Sequence, residues 1–176
     1  MDILEKSMRD AKGNVPQELR DLNVKWWRAS RATQVFAKPI CSRLEVTEAL
    51  IFENNDTPGR KEGRLVFEIV VTRDMCNYLS DMHGGCAATL IDFCTSLVRN
   101  LVLTKDSPTW NGHVSLTLNV TFHAPAVLGT RLKIVNSTVA IGTRVITARA
   151  EIYDVTNGRI VASGMHVKVP PSQPKL

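Results

Sequence analysis

No stretch constrains the fold of this chain more than residues 84–103, which hold a long apolar pattern of helical period. At 100° per residue, Ala87, Leu90, Ile91, Cys94, Leu97, Val98, Leu101 and Val102 fall within about 80° of a common direction, the stripe of a helix that buries one face. Asp92 points almost directly away from that stripe, and Gly85, Ala88, Thr89, Ser96 and Arg99 share its side. The segments on either side have the period of strands. Ahead of the helix, Leu65, Phe67, Ile69 and Val71 alternate with Arg64, Glu68 and Thr72, and an earlier strand is expected over 44–52, ended by the turn cluster Asn54 to Gly59. After the helix come 113–122, 129–139, 143–155 and 159–169, the last two joined through Thr156-Asn157-Gly158, where Asn-Gly is a hairpin signal. In 113–122 the apolar residues Val114, Leu116, Leu118, Val120 and Phe122 alternate with His113, Ser115, Thr117, Asn119 and Thr121, which predicts Ser115 on the polar face. Two strands, one long helix and four strands predict an α+β fold whose antiparallel sheet packs around or against a single helix.

The rest of the chain sets limits. At 176 residues, one core is expected. Two helices are predicted in the N-terminal stretch, over 2–12 and over 17–35 after Pro16, the second carrying Leu19, Leu22, Trp26 and Trp27. No apolar run approaches the roughly 20 residues of a membrane span, and Asp2, Glu5 and Asp10 interrupt any secretory pattern, so an intracellular, soluble protein is expected. Cys41, Cys76, Cys86 and Cys94 are too few and too irregularly spaced for a disulfide framework, and reduced, buried thiols are expected. His83, His113, His123 and His166 include no pair at helical ligand spacing, which argues against a metal centre. Residues 1–62 hold 11 basic and 10 acidic side chains and residues 63–176 hold 11 and 7, so most of the net charge of +5 lies in the later part. Its basic residues are scattered singly, without aromatic interleaving, which fits a small phosphorylated ligand better than nucleic acid.

Chemistry concentrates around the start of the long helix. The pair Gly84-Gly85 allows close approach, and free N–H groups at a helix start favour an oxygen that is gaining negative charge. A plain tight turn explains the same pair. Asp92 is either a solvent-facing carboxylate or a general base or nucleophile, and small neighbours at Gly85, Ala88 and Thr89 favour close packing of something against it. His83 by itself is as much a structural histidine as a site. Ser115 by itself is an ordinary serine on a solvated or interfacial face. Cys94 lies in the apolar stripe, and neither it nor Cys86 has the sequence partner that activates a thiolate.

Taken together, these residues resemble a family. The run His83-Gly84-Gly85 with Asp92 nine residues after the histidine, Asn77 six before it, then Ser115 with Asn119 four later, Pro125 and Gly129, resembles the hotdog-fold acyl-CoA thioesterases. The nearest branches are the bacterial phenylacetyl-CoA type and the small eukaryotic thioesterases for fatty acyl-CoA. The resemblance covers residues 44–169. It implies a hotdog fold, an antiparallel sheet wrapped around one long central helix, over a domain of residues 41–170. An N-terminal helical extension, 1–40, precedes it and a Pro-rich tail, 171–176, follows it. It implies that Asp92 activates the hydrolytic water or attacks the thioester carbonyl itself, and that Ser115 holds the water or the carboxylate. The Gly84 amide would polarise the thioester oxygen, with Asn77 positioning the reacting groups and His83 shaping the turn. Gly85, Phe122, His123, Ala124, Gly142, Thr143 and Arg144 would bind substrate, Arg144 through the nucleotide phosphates.

The resemblance further implies a homodimer or dimer of dimers, with Asn77 and Gly84 of one chain facing Asp92 and Ser115 of the other. It implies no metal and no cofactor beyond the CoA of the substrate. Two features depart from the family pattern: the N-terminal 40 residues lack a counterpart in compact members, and Val127 stands where some relatives have a basic residue. A hotdog protein that binds acyl-CoA without hydrolysing it is the alternative. The ending Pro174-Lys175-Leu176 resembles the Ser-Lys-Leu peroxisomal address, so cytoplasm and peroxisome are both expected locations.

Overall fold

A computed structural model describes residues 3–33, 36–103 and 112–172. In chain order these form α1 (Ile3–Asp10), α2 (Gln17–Thr33), a short α3 (Lys38–Cys41), β1 (Glu45–Glu53), β2 (Lys61–Val70), α4 (Gly84–Val98), β3 (Val114–Phe122), β4 (Arg131–Ile141), β5 (Ile146–Asp154) and β6 (Arg159–Val169). The strands make one antiparallel sheet in the order β1-β2-β4-β5-β6-β3. Helix α4 packs against β2 through β6, so the expected α+β arrangement of a sheet around one helix is present.

The sheet register puts Leu65, Phe67 and Ile69 of β2 beside Asn136, Ile134 and Leu132 of β4, and Ala148, Ala150 and Ile152 of β5 beside His166, Gly164 and Ala162 of β6. Apart from Gly164, all of these are buried. At Gly164 the helix and sheet approach closely: a Cβ there would lie 2.9 Å from Ile91 Cγ2 and 3.0 Å from the Asn119 carbonyl oxygen. A glycine is what the approach of α4 to β6 requires.

The polar side of α4 is less open than its sequence predicts. Phe93, Thr95, Ser96 and Arg99 are buried along with the apolar stripe. Part of the reason is α2. The fully buried Trp27 meets the Phe93 ring edge-on, with centroids 5.2 Å apart, and the Trp26 ring lies 6.4 Å from the same ring. The buried Arg20 donates to the carbonyls of Val15 and Arg9, tying α2 to the end of α1, and Asn100 donates to Asn23 at 3.0 Å. Helix α1 in turn rests on β1, where Ser7 Oγ accepts the Val46 N–H at 2.9 Å. Helix α4 also stops sooner than expected. Its α-helical part ends at Val98, and Arg99–Leu101 form one 3-10 turn in which Arg99 Nε donates to the Ser96 carbonyl at 3.1 Å.

The most regular alternation in the chain belongs to the sheet's edge. In β3, Val114, Leu116 and Phe122 are 50%, 59% and 59% exposed. A β-bulge also corrects the predicted placement of Ser115. The register with β6 shifts between Ser115 and Thr117, so that Ser115 pairs with Lys168 while Leu118, Val120 and Phe122 pair with His166, Gly164 and Ala162. Those four β6 residues alternate on the helix-facing side. Ser115 therefore shares a face with Leu118, Val120 and Phe122 instead of Thr117, Asn119 and Thr121. Bulges re-aim side chains in this way. Among the described residues, no helix is long and apolar enough to cross a membrane. Pro174-Lys175-Leu176 lies outside them.

Candidate active site

Two groups of site residues lie along α4. The first surrounds its N-terminus. His83 is the N-cap, and its Nδ1 accepts the Gly85 N–H at 2.9 Å. That bond uses the Gly85 donor and leaves the Gly84 N–H, which has no acceptor within the helix, as the free donor of the pair. The cap is held by its own backbone, His83 N–H donating to Met75 O and Met82 N–H to Ala126 O, each at 2.8 Å. Asn77 Oδ1 accepts the N–H groups of Leu79 and Asp81 at 2.9 and 3.2 Å, which closes the preceding turn and leaves the amide nitrogen as the donor of that side chain. Phe122 covers Gly84: a Cβ there would lie 3.2 Å from Phe122 Cζ.

The second group begins at Asp92, whose side chain is 48% exposed. The bulge brings Ser115 Oγ to 3.4 Å from Asp92 Oδ1. Two residues of β6 that sequence reasoning missed join them. His166 Nε2 lies 2.8 Å from Ser115 Oγ and 3.4 Å from Asp92 Oδ1, and Lys168 Nζ lies 2.9 Å from Ser96 Oγ, 3.4 Å from Ser115 Oγ and 3.8 Å from Asp92 Oδ1. In the 3-10 turn after α4, the buried Arg99 contacts His113 through its guanidinium.

The proton positions follow from the distances. Thr95 Oγ1 is 2.6 Å from the Ile91 carbonyl oxygen, which carries no proton, so the threonine donates there. Having given its only proton, Thr95 must accept from His166 Nδ1, 2.7 Å away. Burial, helped by the Lys168 charge, pushes His166 down to about 4 despite the opposing pull of Asp92, so near neutral pH the ring is uncharged and carries its proton on Nδ1. Nε2 is then an acceptor and takes the Ser115 hydroxyl proton. Ser115 consequently offers lone pairs, beside the oxygens of Asp92, where a water molecule could donate both of its protons. Burial likewise lowers His113 to about 4 and Arg99 to about 10.

The remaining predicted residues sit at opposite ends of the sheet. Phe122, His123 and Ala124 lie at the Gly84 end, with His123 Nε2 at 2.8 Å from Ser163 Oγ. Gly142, Thr143 and Arg144 form the exposed β4–β5 turn, closed by the Gly142 N–H to Val145 O bond at 2.9 Å. That turn is at the other end, because Ile146 just beyond it pairs with Lys168. Gly85 is exposed beside His83. Cys94 and Cys41 are buried, and burial pushes the Cys86 thiol up to about 11 and Cys41 to about 12, the opposite of an activated thiolate. Among the described residues, no three His, Cys, Asp or Glu side chains gather as a metal site.

Residues 79–161 match the thioesterase superfamily, a span that holds the α4 N-cap, Asp92 and Ser115. Over that span the chain is similar to a thioesterase domain. Over 105 residues it is 29% identical to mouse acyl-coenzyme A thioesterase 13, covering 60% of this chain and 71% of that protein. A putative esterase of Caenorhabditis elegans is 30% identical over 116 residues, covering 65% of this chain and 66% of the relative. The crystal structure of zebrafish thioesterase superfamily member 2 superposes with a TM-score of 0.64 at 25% identity, covering 83% of this chain and 94% of that one. The Escherichia coli PaaI protein, at 17% identity and a TM-score of 0.62, shares the fold of the thioesterase domain.

Proposed function

We propose that this protein hydrolyses acyl-CoA thioesters to a free acid and CoA at a site shared by two copies of the chain. The observation that carries this reading is the separation of the two residue groups on α4. Asp92 lies eight residues beyond Gly84, about 12 Å along the helix axis. A donor must lie within about 3 Å of the thioester oxygen, and a base within about 3 Å of the water that attacks the carbon of the same carbonyl, a span of about 10 Å at most. One chain cannot bracket that carbonyl. Its edge strand offers the remedy: β3 is exposed on both faces and unpaired on one side among the described residues, with Tyr78, Leu79, Val127 and Leu128 adding exposed apolar surface near its Phe122 end. Antiparallel pairing of two β3 edges about a two-fold axis would bring the Ser115 end of one beside the Phe122 end of the other, and so Asp92 beside the partner copy's Gly84 end.

In this site the Gly84 N–H and the Asn77 amide of one copy receive the thioester oxygen. Asp92 of the other takes a proton from water held between its carboxylate and Ser115 Oγ. The water oxygen bonds to the carbonyl carbon, the carbonyl electron pair moves to the oxygen held by Gly84, and collapse of that intermediate breaks the C–S bond. The proton on Asp92 then goes to the CoA thiolate. A hydroxyl that already donates to His166 suits a water-holding role, which favours Asp92 as base over Asp92 as nucleophile. Phe122, His123 and Ala124 of one copy and Gly142, Thr143 and Arg144 of the other would flank CoA, Arg144 by its phosphates.

The test is release of free thiol from a panel of acyl-CoAs of increasing chain length. Turnover with part of the panel is expected; binding of acyl-CoA without thiol release from any member would make this a carrier or sensor instead. Peroxisomal delivery through Pro174-Lys175-Leu176 is a separate proposal. A fluorescent fusion that is equally diffuse with and without Leu176 would overturn it.

A further inference from the structure

We propose that Lys168 is a positioning residue for the hydrolysis: its ammonium, enclosed between β6, β3 and α4, holds the Ser115 hydroxyl and the Asp92 carboxylate in the relative orientation that traps the attacking water. This inference rests on the thioester-hydrolysis reading and adds a residue to it.

Lysine is rarely buried, yet the Lys168 side chain is only 10% exposed and turned inward from β6. Its anchor is Ser96. That hydroxyl lies 2.7 Å from the Asp92 carbonyl oxygen and donates to it, so its lone pairs face Nζ at 2.9 Å. The ammonium is thereby fixed to the helical turn that carries Asp92. Two further N–H groups remain for Ser115 Oγ at 3.4 Å and Asp92 Oδ1 at 3.8 Å. Ser115 gives its proton to His166, so it can meet Lys168 only as an acceptor, and the same lysine touches both acceptors proposed for water. Asp92 is half exposed on a short stem and free to swing into solvent; a buried cation on its inner side draws Oδ1 toward Ser115. At an exposed site a pair this long would contribute little, but here one partner is shielded from screening.

The charged and titratable groups facing Lys168 are Asp92 on α4, Arg99 in the 3-10 turn after it, His113 before β3 and His166 on β6; β5 presents Ile146 opposite it. Burial, with Arg99 adding to it and Asp92 opposing, lowers Lys168 from its ordinary 10.5 to about 8. Loss of the ammonium above that value would release Ser115 and Asp92 together.

The experiment is kcat and KM for thiol release against pH, from about pH 5 to pH 10, for the wild type, Lys168→Met and Lys168→Arg, with Tm of each. With Lys168→Met, kcat is expected to fall about a hundredfold at neutral pH with little change in KM. Lys168→Arg should keep most of kcat and move the alkaline limb, near pH 8 in the wild type, upward, because a guanidinium stays charged there. The Tm of Lys168→Met should equal or exceed the wild-type value at neutral pH. A lysine whose folded pKa is lowered loses stability while charged, and that cost lessens only as pH rises from about 8 toward 10.5. Wild-type kcat in Lys168→Met would overturn the proposal. So would Lys168→Arg losing as much as Lys168→Met, or an unchanged alkaline limb in both. A wild type that releases no thiol from any acyl-CoA would instead sink the hydrolysis reading, and this inference with it.

Discussion

At the first turn of α4 the useful groups belong to the backbone and its cap; two turns later they are side chains gathered from three elements. The Gly84 end is built from consecutive residues, His83 capping Gly85 and Asn77 closing its own loop, and it lies open beside an exposed Phe122. The Asp92 end is assembled across α4, β3 and β6, with His166 and Lys168 buried behind one half-exposed carboxylate. The contrast teaches a division of labour. The local end can offer a fixed dipole to an oxygen that gains charge, whereas the assembled end can hold and move a proton.

The largest expected effect breaks the end proposed to handle the proton. Asp92→Asn should lower kcat about a thousandfold while acyl-CoA binding, measured by titration, survives. Unchanged turnover would remove Asp92 as the base. A smaller loss, about a hundredfold, is expected from Asn119→Lys, which sets a charge on the β3 edge where two copies would pair. Sedimentation should show dimer and activity falling together, and an active monomer would mean that the two ends of α4 need not come from different chains. Ser115→Ala would remove the water contact proposed for this hydroxyl and should lower kcat about tenfold, with KM nearly constant.

How much of this contrast was legible in the sequence follows the same division. His83-Gly84-Gly85 and Asp92 could be read because their relation is set by chain spacing within one helix. Ser115 could be named only through family resemblance, and its face was misread, because the bulge that turns it toward α4 arises from pairing with β6. His166 and Lys168 were missed. Two polar residues at alternate positions of the last strand look like a solvated face, and only the sheet order, which sets β6 between β5 and β3, turns that face toward the helix. The sequence does carry one signal: the same face of β6 reads Ala162, Gly164, His166, Lys168, and the two small residues mark the side where a helix approaches. Arg99 was placed on the open side of α4 for a related reason, since the packing that buries that side comes from other parts of the chain.

The smallest predicted effect concerns stability and separates the buried end from the open one. His166 and His113 are lowered from the ordinary 6.5 to about 4, chiefly by burial. Between those values the unfolded chain binds more protons than the folded one, so stability is full above about pH 6.5 and declines as pH falls toward 4. Tm should follow that course, and His166→Gln should flatten the decline. A Tm that rises on acidification through this window would contradict the uncharged ring on which the role proposed for Ser115 rests.

The shared site is tested most directly by complementation. Asp92→Asn and Asn77→Ala each damage one end of α4, and if the ends act across a two-fold axis, a heterodimer of the two variants holds one site with both lesions and one with neither. Equal mixing by co-refolding gives half heterodimers, so thiol release should recover to about one quarter of the wild-type rate while each variant alone stays far below it. A mixture no more active than the average of its two components would contradict a site built from two chains.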